Sequence, residues 1–149
     1  MPVHIEQLGP GFAGSIDGLD LRNPLSEKEI IAVHEGMDKY AVLVFKRQTI
    51  TDAEQLQFSQ QLGTIEHAIG TSLREPKDFR LPSTFADVSN LDKDDKPFEI
   101  DDRRRLFAIG NRLWHSDSSF KVVPAKYSIL HAISCLLYTS PSPRDVEES

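Results

Sequence analysis

The chain has 149 residues, which is enough for one domain with a hydrophobic core. Hydrophobic residues make up 39% of it and charged residues 27%, a balance typical of globular proteins. The formal net charge of −6 provides no positive field for nucleic acid, and no apolar run approaches the roughly 18 residues of a membrane span. There is no signal-peptide pattern, and the single cysteine, Cys135, excludes an internal disulfide. We therefore expect a cytoplasmic protein that binds neither nucleic acid nor membranes.

The N-terminal third predicts two strands and a helix. Residues 3–8 alternate apolar and polar side chains, which is typical of a strand, and Ile16, Leu19 and Leu21 indicate a second one. Residues 26–40 begin with a Ser-x-x-Glu capping box and continue with apolar residues at helical spacing. This combination predicts an amphipathic helix.

A third strand and a second helix are predicted next. Residues 41–45, Ala-Val-Leu-Val-Phe, are continuously apolar and rich in β-forming residues, which predicts a buried strand. Thr51 and Glu54 form another capping box at the start of residues 51–62, and Gly63 is a typical residue for a helix end.

The rest of the chain carries weaker signals. Residues 85–88 and 125–134 have the composition of strands, whereas residues 91–102 are dense in Asp and Lys and predict an exposed loop. The three arginines of residues 103–105 form a dense positive run. We interpret them, like Lys121, as surface charges, with attraction of an anionic substrate as the alternative.

The chemically informative feature is a His-x-Asp pair, His115 and Asp117. On a strand, side chains two residues apart point to the same face, so an imidazole nitrogen and a carboxylate oxygen can reach one metal ion. A second, distant histidine would complete a 2-His-1-carboxylate triad, which leaves positions open on Fe(II) for a 2-oxo acid and O2. By itself the pair is a weak signal, and a surface turn in which the neighbouring serines make local hydrogen bonds is the commoner explanation of such a pair.

A longer pattern surrounds this pair. It reads Asn-x-x-Trp-His-x-Asp-x-x-Phe over residues 111–120 and Pro-Ala-x-Tyr-Ser-x-Leu over residues 124–130. This pattern resembles the TauD/TfdA dioxygenase family, in particular its 2,4-dichlorophenoxyacetate dioxygenase-like branch. The apolar residues 41–46 and the Phe-x-x-x-Leu-Gly of residues 58–63 resemble the family as well. The resemblance covers most of residues 1–134.

The resemblance implies a fold, a set of cofactors and a reaction. The fold is mostly β with flanking helices (α+β), organised as part of a double-stranded β-helix, or jelly roll. Fe(II) would be bound by His115 and Asp117, with 2-oxoglutarate and O2 as cosubstrates, and Asn111 would face the pocket of a small anionic substrate. Decarboxylation of 2-oxoglutarate would then drive hydroxylation of that substrate. Trp114 and Phe120 are expected to pack and to hold the ligand strand in place, with a position at the border of the pocket as the alternative.

The sequence departs from the family pattern at its end. The Gly-Gly-Asp-Thr loop, whose threonine holds 2-oxoglutarate, is replaced by Cys-Leu-Leu-Tyr from Cys135, and the distal histidine and arginine have no match. We interpret His131 as a core or sheet-facing histidine and not as the missing ligand. His67 is interpreted as a loop histidine, with a place in the substrate site as the alternative. Residues 1–134 are thus expected to be the N-terminal part of a dioxygenase domain.

Residues 135–149 are rich in Ser and Pro and lack any structural period, so we expect a tail that is disordered or an artefact. Two hypotheses for function follow. In the first, the sequence belongs to an Fe(II)- and 2-oxoglutarate-dependent dioxygenase, and this chain is inactive alone because it lacks a ligand and part of its sheet. In the second, it is a truncated relative that binds a partner or has no function. Zinc at the pair is a weaker alternative to iron.

Overall fold

The structure is a computed structural model that describes residues 3–66, 80–108, 113–117 and 121–133. Its elements in chain order are β1 (His4–Gln7), β2 (Gly14–Asp17), α1 (Glu27–Tyr40), β3 (Leu43–Phe45), α2 (Asp52–Leu62) and α3 (Arg103–Ala108). The strands form one sheet in the order β1-β2-β3. Strand β1 is antiparallel to β2, and β3 is parallel to β2. A parallel pair needs a crossover connection, which α1 provides.

The core lies between one face of this sheet and the first two helices. Ile5 is opposite Ile16, and Ile16 is opposite Phe45, so these three residues share a face of the sheet. The Phe58 ring of α2 packs edge-on against Phe45, with 5.4 Å between ring centroids. The buried cluster consists of Ile16, Leu19, Leu21, Val33 and Phe58. Helices α1 and α2 thus cover the apolar face that the strand pattern creates.

Both predicted capping boxes are present. The Glu29 carboxylate accepts hydrogen bonds from the backbone amide and the hydroxyl of Ser26, each at 2.7 Å. The Glu54 carboxylate accepts from the amide and hydroxyl of Thr51, at 2.7 and 2.8 Å. These bonds lower the pKa of both carboxyl groups. The hydrogen bond from the Ser26 hydroxyl is the largest cause of the lowered pKa of Glu29, and the bond from the Thr51 amide is the largest cause for Glu54. Local side-chain chemistry therefore sets where α1 and α2 begin.

The strand predicted for residues 41–45 is shorter and more exposed than expected. Ala41 forms the cap of α1, with a left-handed φ of 59° and its amide donating to the Met37 carbonyl at 2.8 Å. Strand β3 therefore begins at Leu43. Val44 is 38% exposed. Its side chain lies on the sheet face opposite the core, and β3 is an edge strand of the described sheet. The prediction of a buried strand is thus wrong here.

The C-terminal part of the described chain is mostly irregular. Residues 85–88 and 125–133 contain no strand, and residue 134 lies outside the described residues. Residues 91–102 form a loop, as predicted, with one isolated bridge. The described part is an α+β arrangement in which helices contain more residues than strands, so a mostly β composition is not seen there. None of the described helices is long and apolar enough to cross a membrane.

Gly14 permits the close approach of the sheet and the end of α1. A Cβ atom added there would lie 2.9 Å from Ile5 Cγ2, 3.0 Å from Tyr40 Cδ2 and 3.2 Å from Leu43 Cδ2. Because three packed side chains crowd the position, we expect Gly14→Ala to lower the free energy of unfolding by about 1–3 kcal/mol. Gly11→Ala is the matched control, since nothing lies within 4 Å of its added Cβ. Urea denaturation measures both, and equal stabilities of the two variants would contradict the packing.

The capping box of α2 makes stability depend on pH. The pKa of Glu54 lies below its ordinary value of 4.5 in the folded chain. Its contribution to stability is therefore fully present above about pH 4.5 and is lost as the pH falls through the lowered pKa. We expect Glu54→Gln to be less stable than wild type at pH 7 and equally stable in strong acid. Thermal unfolding at a series of pH values measures this, with Glu35→Gln, an exposed position within α1, as the control. A difference that stays constant with pH would contradict it.

Candidate metal centre

The structure brings the two predicted ligands together. His115 and Asp117 lie in the described segment 113–117, which follows α3 and is irregular, whereas the spacing argument assumed a strand. The His115 Nε2 atom nevertheless lies 3.2 Å from the Asp117 Oδ1 atom. The side chains are 50% and 60% exposed, so the pair is accessible from solvent. The side chains converge although the backbone lacks strand geometry.

Hydrogen bonding determines which atoms the histidine presents. His115 Nδ1 lies 2.8 Å from the carbonyl oxygen of Leu113. Because a carbonyl only accepts hydrogen bonds, Nδ1 carries the proton of the neutral ring and Nε2 presents its lone pair. A backbone carbonyl behind the other ring nitrogen is the usual support of a metal-binding histidine. Nε2 and the Asp117 Oδ1 are then two acceptors that face each other, and only a proton or a cation between them makes this arrangement favourable.

The spacing of these two atoms suits a metal ion. Adjacent positions of an octahedral ion with bonds of about 2.1 Å lie about 3.0 Å apart. The observed 3.2 Å between His115 Nε2 and Asp117 Oδ1 is close to this value. One imidazole nitrogen and one carboxylate oxygen are also two of the three donors that non-heme Fe(II) sites use. The residues present therefore fit part of an iron site.

Asp117 has a second partner that sequence reasoning missed. The Ser128 hydroxyl donates to Asp117 Oδ2 at 2.9 Å. The neighbouring residue, Tyr127, contacts α1, with its hydroxyl 2.7 Å from His34 Nδ1 and ring centroids 5.6 Å apart. Both residues belong to the Pro-Ala-x-Tyr-Ser-x-Leu pattern, which was the available signal. A pattern does not show, however, which side chain a serine contacts across eleven residues.

The other residues considered from the sequence do not join the pair. Asn111, His67, Phe120 and Cys135 lie outside the described residues. His131 is described, and its buried Nδ1 has no hydrogen-bond partner there. Within the described ranges, no group of three or more His, Cys, Asp or Glu residues is placed to hold a metal ion. The part of the chain that the structure describes thus contains the two predicted ligands and no candidate for a third beside them.

Three further residues considered from the sequence, one aromatic and two basic, are described by the structure. Trp114, expected to pack, is fully exposed in the described structure. The Lys121 ammonium group donates to the Glu66 carboxylate, and Arg104 pairs with Asp102 at 2.6 Å. These ion pairs agree with the interpretation of both basic residues as surface charges and do not favour an anion site there.

Comparisons with known proteins agree with the sequence pattern. Residues 4–135 match the model of the taurine catabolism dioxygenase TauD, TfdA family. The chain is 38% identical over 133 residues to the alpha-ketoglutarate-dependent 2,4-dichlorophenoxyacetate dioxygenase of Burkholderia sp. (strain RASC), covering 89% of this chain and 44% of the relative. It is 34% identical over 147 residues to the protein of the same name from Cupriavidus pinatubonensis (strain JMP 134 / LMG 1197), covering 99% and 50%. The chain therefore spans about half the length of these relatives.

Solved structures give the same assignment. The crystal structure of AAD-2 in complex with Mn(II) and N-oxalylglycine superposes with a TM-score of 0.76 at 50% identity, covering 85% of this chain and 44% of that one. A putative alpha-ketoglutarate dependent 2,4-D dioxygenase from Burkholderia xenovorans has a TM-score of 0.57 at 28% identity, covering 83% and 35%. Since the family match runs from β1 through the segment that holds His115 and Asp117, the chain belongs to the TauD/TfdA dioxygenase family.

Proposed function

We propose that this sequence belongs to a non-heme Fe(II)- and 2-oxoglutarate-dependent dioxygenase that hydroxylates a small anionic aryloxy acid. The observation that carries this proposal is the facing pair of donor atoms, His115 Nε2 and Asp117 Oδ1, 3.2 Å apart. The names of the relatives support the cosubstrate and the substrate class. The related AAD-2 structure contains Mn(II) and N-oxalylglycine, in which an NH group replaces one CH2 of 2-oxoglutarate.

In this proposal, the residues of the chain bind the metal ion and orient its donor atoms and the substrate. When bound, Fe(II) supplies the redox chemistry that couples decarboxylation of 2-oxoglutarate to hydroxylation of the substrate. His115 offers Nε2 because its Nδ1 proton is held by the Leu113 carbonyl. Asp117 offers Oδ1 and a negative charge that offsets part of the charge of the metal. The third protein ligand would be the family's distal histidine, which has no match in this sequence, and Asn111 would face the substrate.

We also propose that the three-stranded sheet is part of a jelly roll, organised as a double-stranded β-helix. The TM-score of 0.76 to the AAD-2 structure supports this. Residues 1–134 would be the N-terminal part of the dioxygenase domain, and the end of the family match at residue 135 supports that boundary. A disordered or artefactual tail over residues 135–149 stays a prediction. One of the alignments, over 147 residues, extends into it.

The non-catalytic alternative rests on a specific observation. Among the described residues, His115 and Asp117 are two candidate ligands, and no group of three is placed to hold a metal ion. The family's threonine and arginine for 2-oxoglutarate have no match in the sequence. We therefore propose that the chain of 149 residues lacks turnover by itself. Weak metal binding without catalysis is then its expected behaviour.

Metal binding tests the pair directly. Because each ligand contributes a donor atom, we expect His115→Ala and Asp117→Ala each to weaken Mn(II) binding by at least about tenfold. Isothermal titration with Mn(II) under one buffer condition measures this. His4→Ala is the matched control, since His4 is an exposed histidine of β1. Equal affinities of the His115 and His4 variants would rule out the pair as the metal site.

Turnover tests the proposed reaction. With Fe(II), 2-oxoglutarate and 2,4-dichlorophenoxyacetate, we expect the complete product of the source gene to form succinate, measured by chromatography. The Asp117→Ala variant of that product should lose at least about a hundredfold of this rate, because the metal site is disrupted. The 149-residue chain should form no succinate above its own His115→Ala variant. Iron-independent or substrate-independent succinate formation by the complete product would contradict the proposed function.

A further inference from the structure

We propose, on the basis of the metal pair proposed above, that Ser128 is a positioning residue that makes Asp117 bind the metal through Oδ1 alone. The two oxygens of the Asp117 carboxylate have different partners. Oδ2 accepts the Ser128 hydroxyl at 2.9 Å, whereas Oδ1 faces His115 Nε2 at 3.2 Å. The serine thus occupies the oxygen that points away from the histidine and leaves the other one for a cation.

The physical need for such a contact follows from the freedom of the carboxylate. The final torsion of an aspartate side chain is broad and roughly two-fold, so it does not hold one oxygen toward the metal by itself. Asp117 is 60% exposed, so packing does little to restrain it. A hydroxyl donor on Oδ2 selects one rotation of the group. Partners of this kind, which hold a ligand without touching the metal, strongly affect metal affinity.

The segment that carries Ser128 is itself anchored to the core. Residues 121–133 contain no helix or strand, so hydrogen bonds of regular structure do not hold them. Tyr127 provides the anchor, because its hydroxyl lies 2.7 Å from His34 Nδ1 of α1 and the two rings stack at an interplanar angle of 30°. The residue before His34 is Val33, which is buried in the core. Tyr127 and Ser128 therefore link α1 to the Asp117 carboxylate.

The hydrogen bond between Ser128 and Asp117 is not a contact between near neighbours in the sequence. Ser128 and Asp117 are eleven residues apart, so their contact joins two separate segments of the chain. Ser116, by contrast, lies between the two ligands, is exposed, and makes no side-chain hydrogen bond to another described residue that the structure records. It offers a serine of the same site without the proposed role, and it is the matched control.

The experiment is Mn(II) binding by the intact 149-residue chain, followed by titration calorimetry and by the electron paramagnetic resonance signal of bound Mn(II). We expect Ser128→Ala to weaken binding about tenfold and to change the resonance signal of the bound ion. Ser128→Thr keeps the hydroxyl and should restore binding to within about threefold of wild type. Ser116→Ala should bind as wild type does. Thermal unfolding of each apo variant separates these effects from loss of the fold.

The outcomes distinguish this inference from the proposed metal site. If Ser128→Ala binds like wild type while His115→Ala does not, the positioning role is wrong and the metal pair stands. If Ser116→Ala weakens binding as much as Ser128→Ala, the effect is a general disturbance of the segment and the role is also wrong. If His115→Ala binds like wild type, the metal pair itself fails. Tyr127→Phe should weaken binding by a smaller factor, and an unchanged affinity would overturn the anchoring through α1.

Discussion

Two hydrogen-bond acceptors that face each other across 3.2 Å set the main constraint on this structure. His115 Nε2 and Asp117 Oδ1 can stay together only with positive charge between them, because the Leu113 carbonyl holds the ring proton on Nδ1. A metal ion satisfies both atoms at once. A proton on Nε2 satisfies them as well, through an ion pair of the imidazolium with the carboxylate, so a metal ion would have to displace that proton. The surrounding contacts hold the two side chains in this arrangement.

These contacts begin far from the metal pair. Among the described residues, the buried core cluster lies within residues 16–58, whereas the two predicted ligands lie in an exposed, irregular segment. Helix α1 connects the two regions, since Val33 is in the core and His34 contacts Tyr127. The buried core that stabilises the described fold and the candidate metal pair thus lie in different regions of the chain. An ion bound by His115 and Asp117 would in return stabilise the exposed segment that carries them.

Local interactions explain which parts of the fold the sequence predicts. Both helices start where predicted, because the Ser26 and Thr51 capping boxes act within four residues. Strand β3 starts later than predicted because Ala41 forms a left-handed cap of α1. The prediction missed this cap because an alanine in that conformation has no sequence signature. The strands expected at residues 85–88 and 125–133 are absent because a strand needs a partner, which composition does not supply. The metal pair follows from spacing and family pattern, but Ser128 depends on how two segments meet.

If Asp117 is a metal ligand, the number of its oxygens that bind the metal decides how many coordination positions remain for the cosubstrates. A facial triad of three single donors leaves three positions on a six-coordinate ion. A 2-oxo acid bound through two oxygens would take two of them, and one would remain for O2. If Asp117 bound through both oxygens, that last position would be lost. The hydrogen bond from Ser128 to Oδ2 opposes this second attachment. A single exposed hydroxyl, held in place through Tyr127 and α1, would thereby keep a coordination position free for the oxidant.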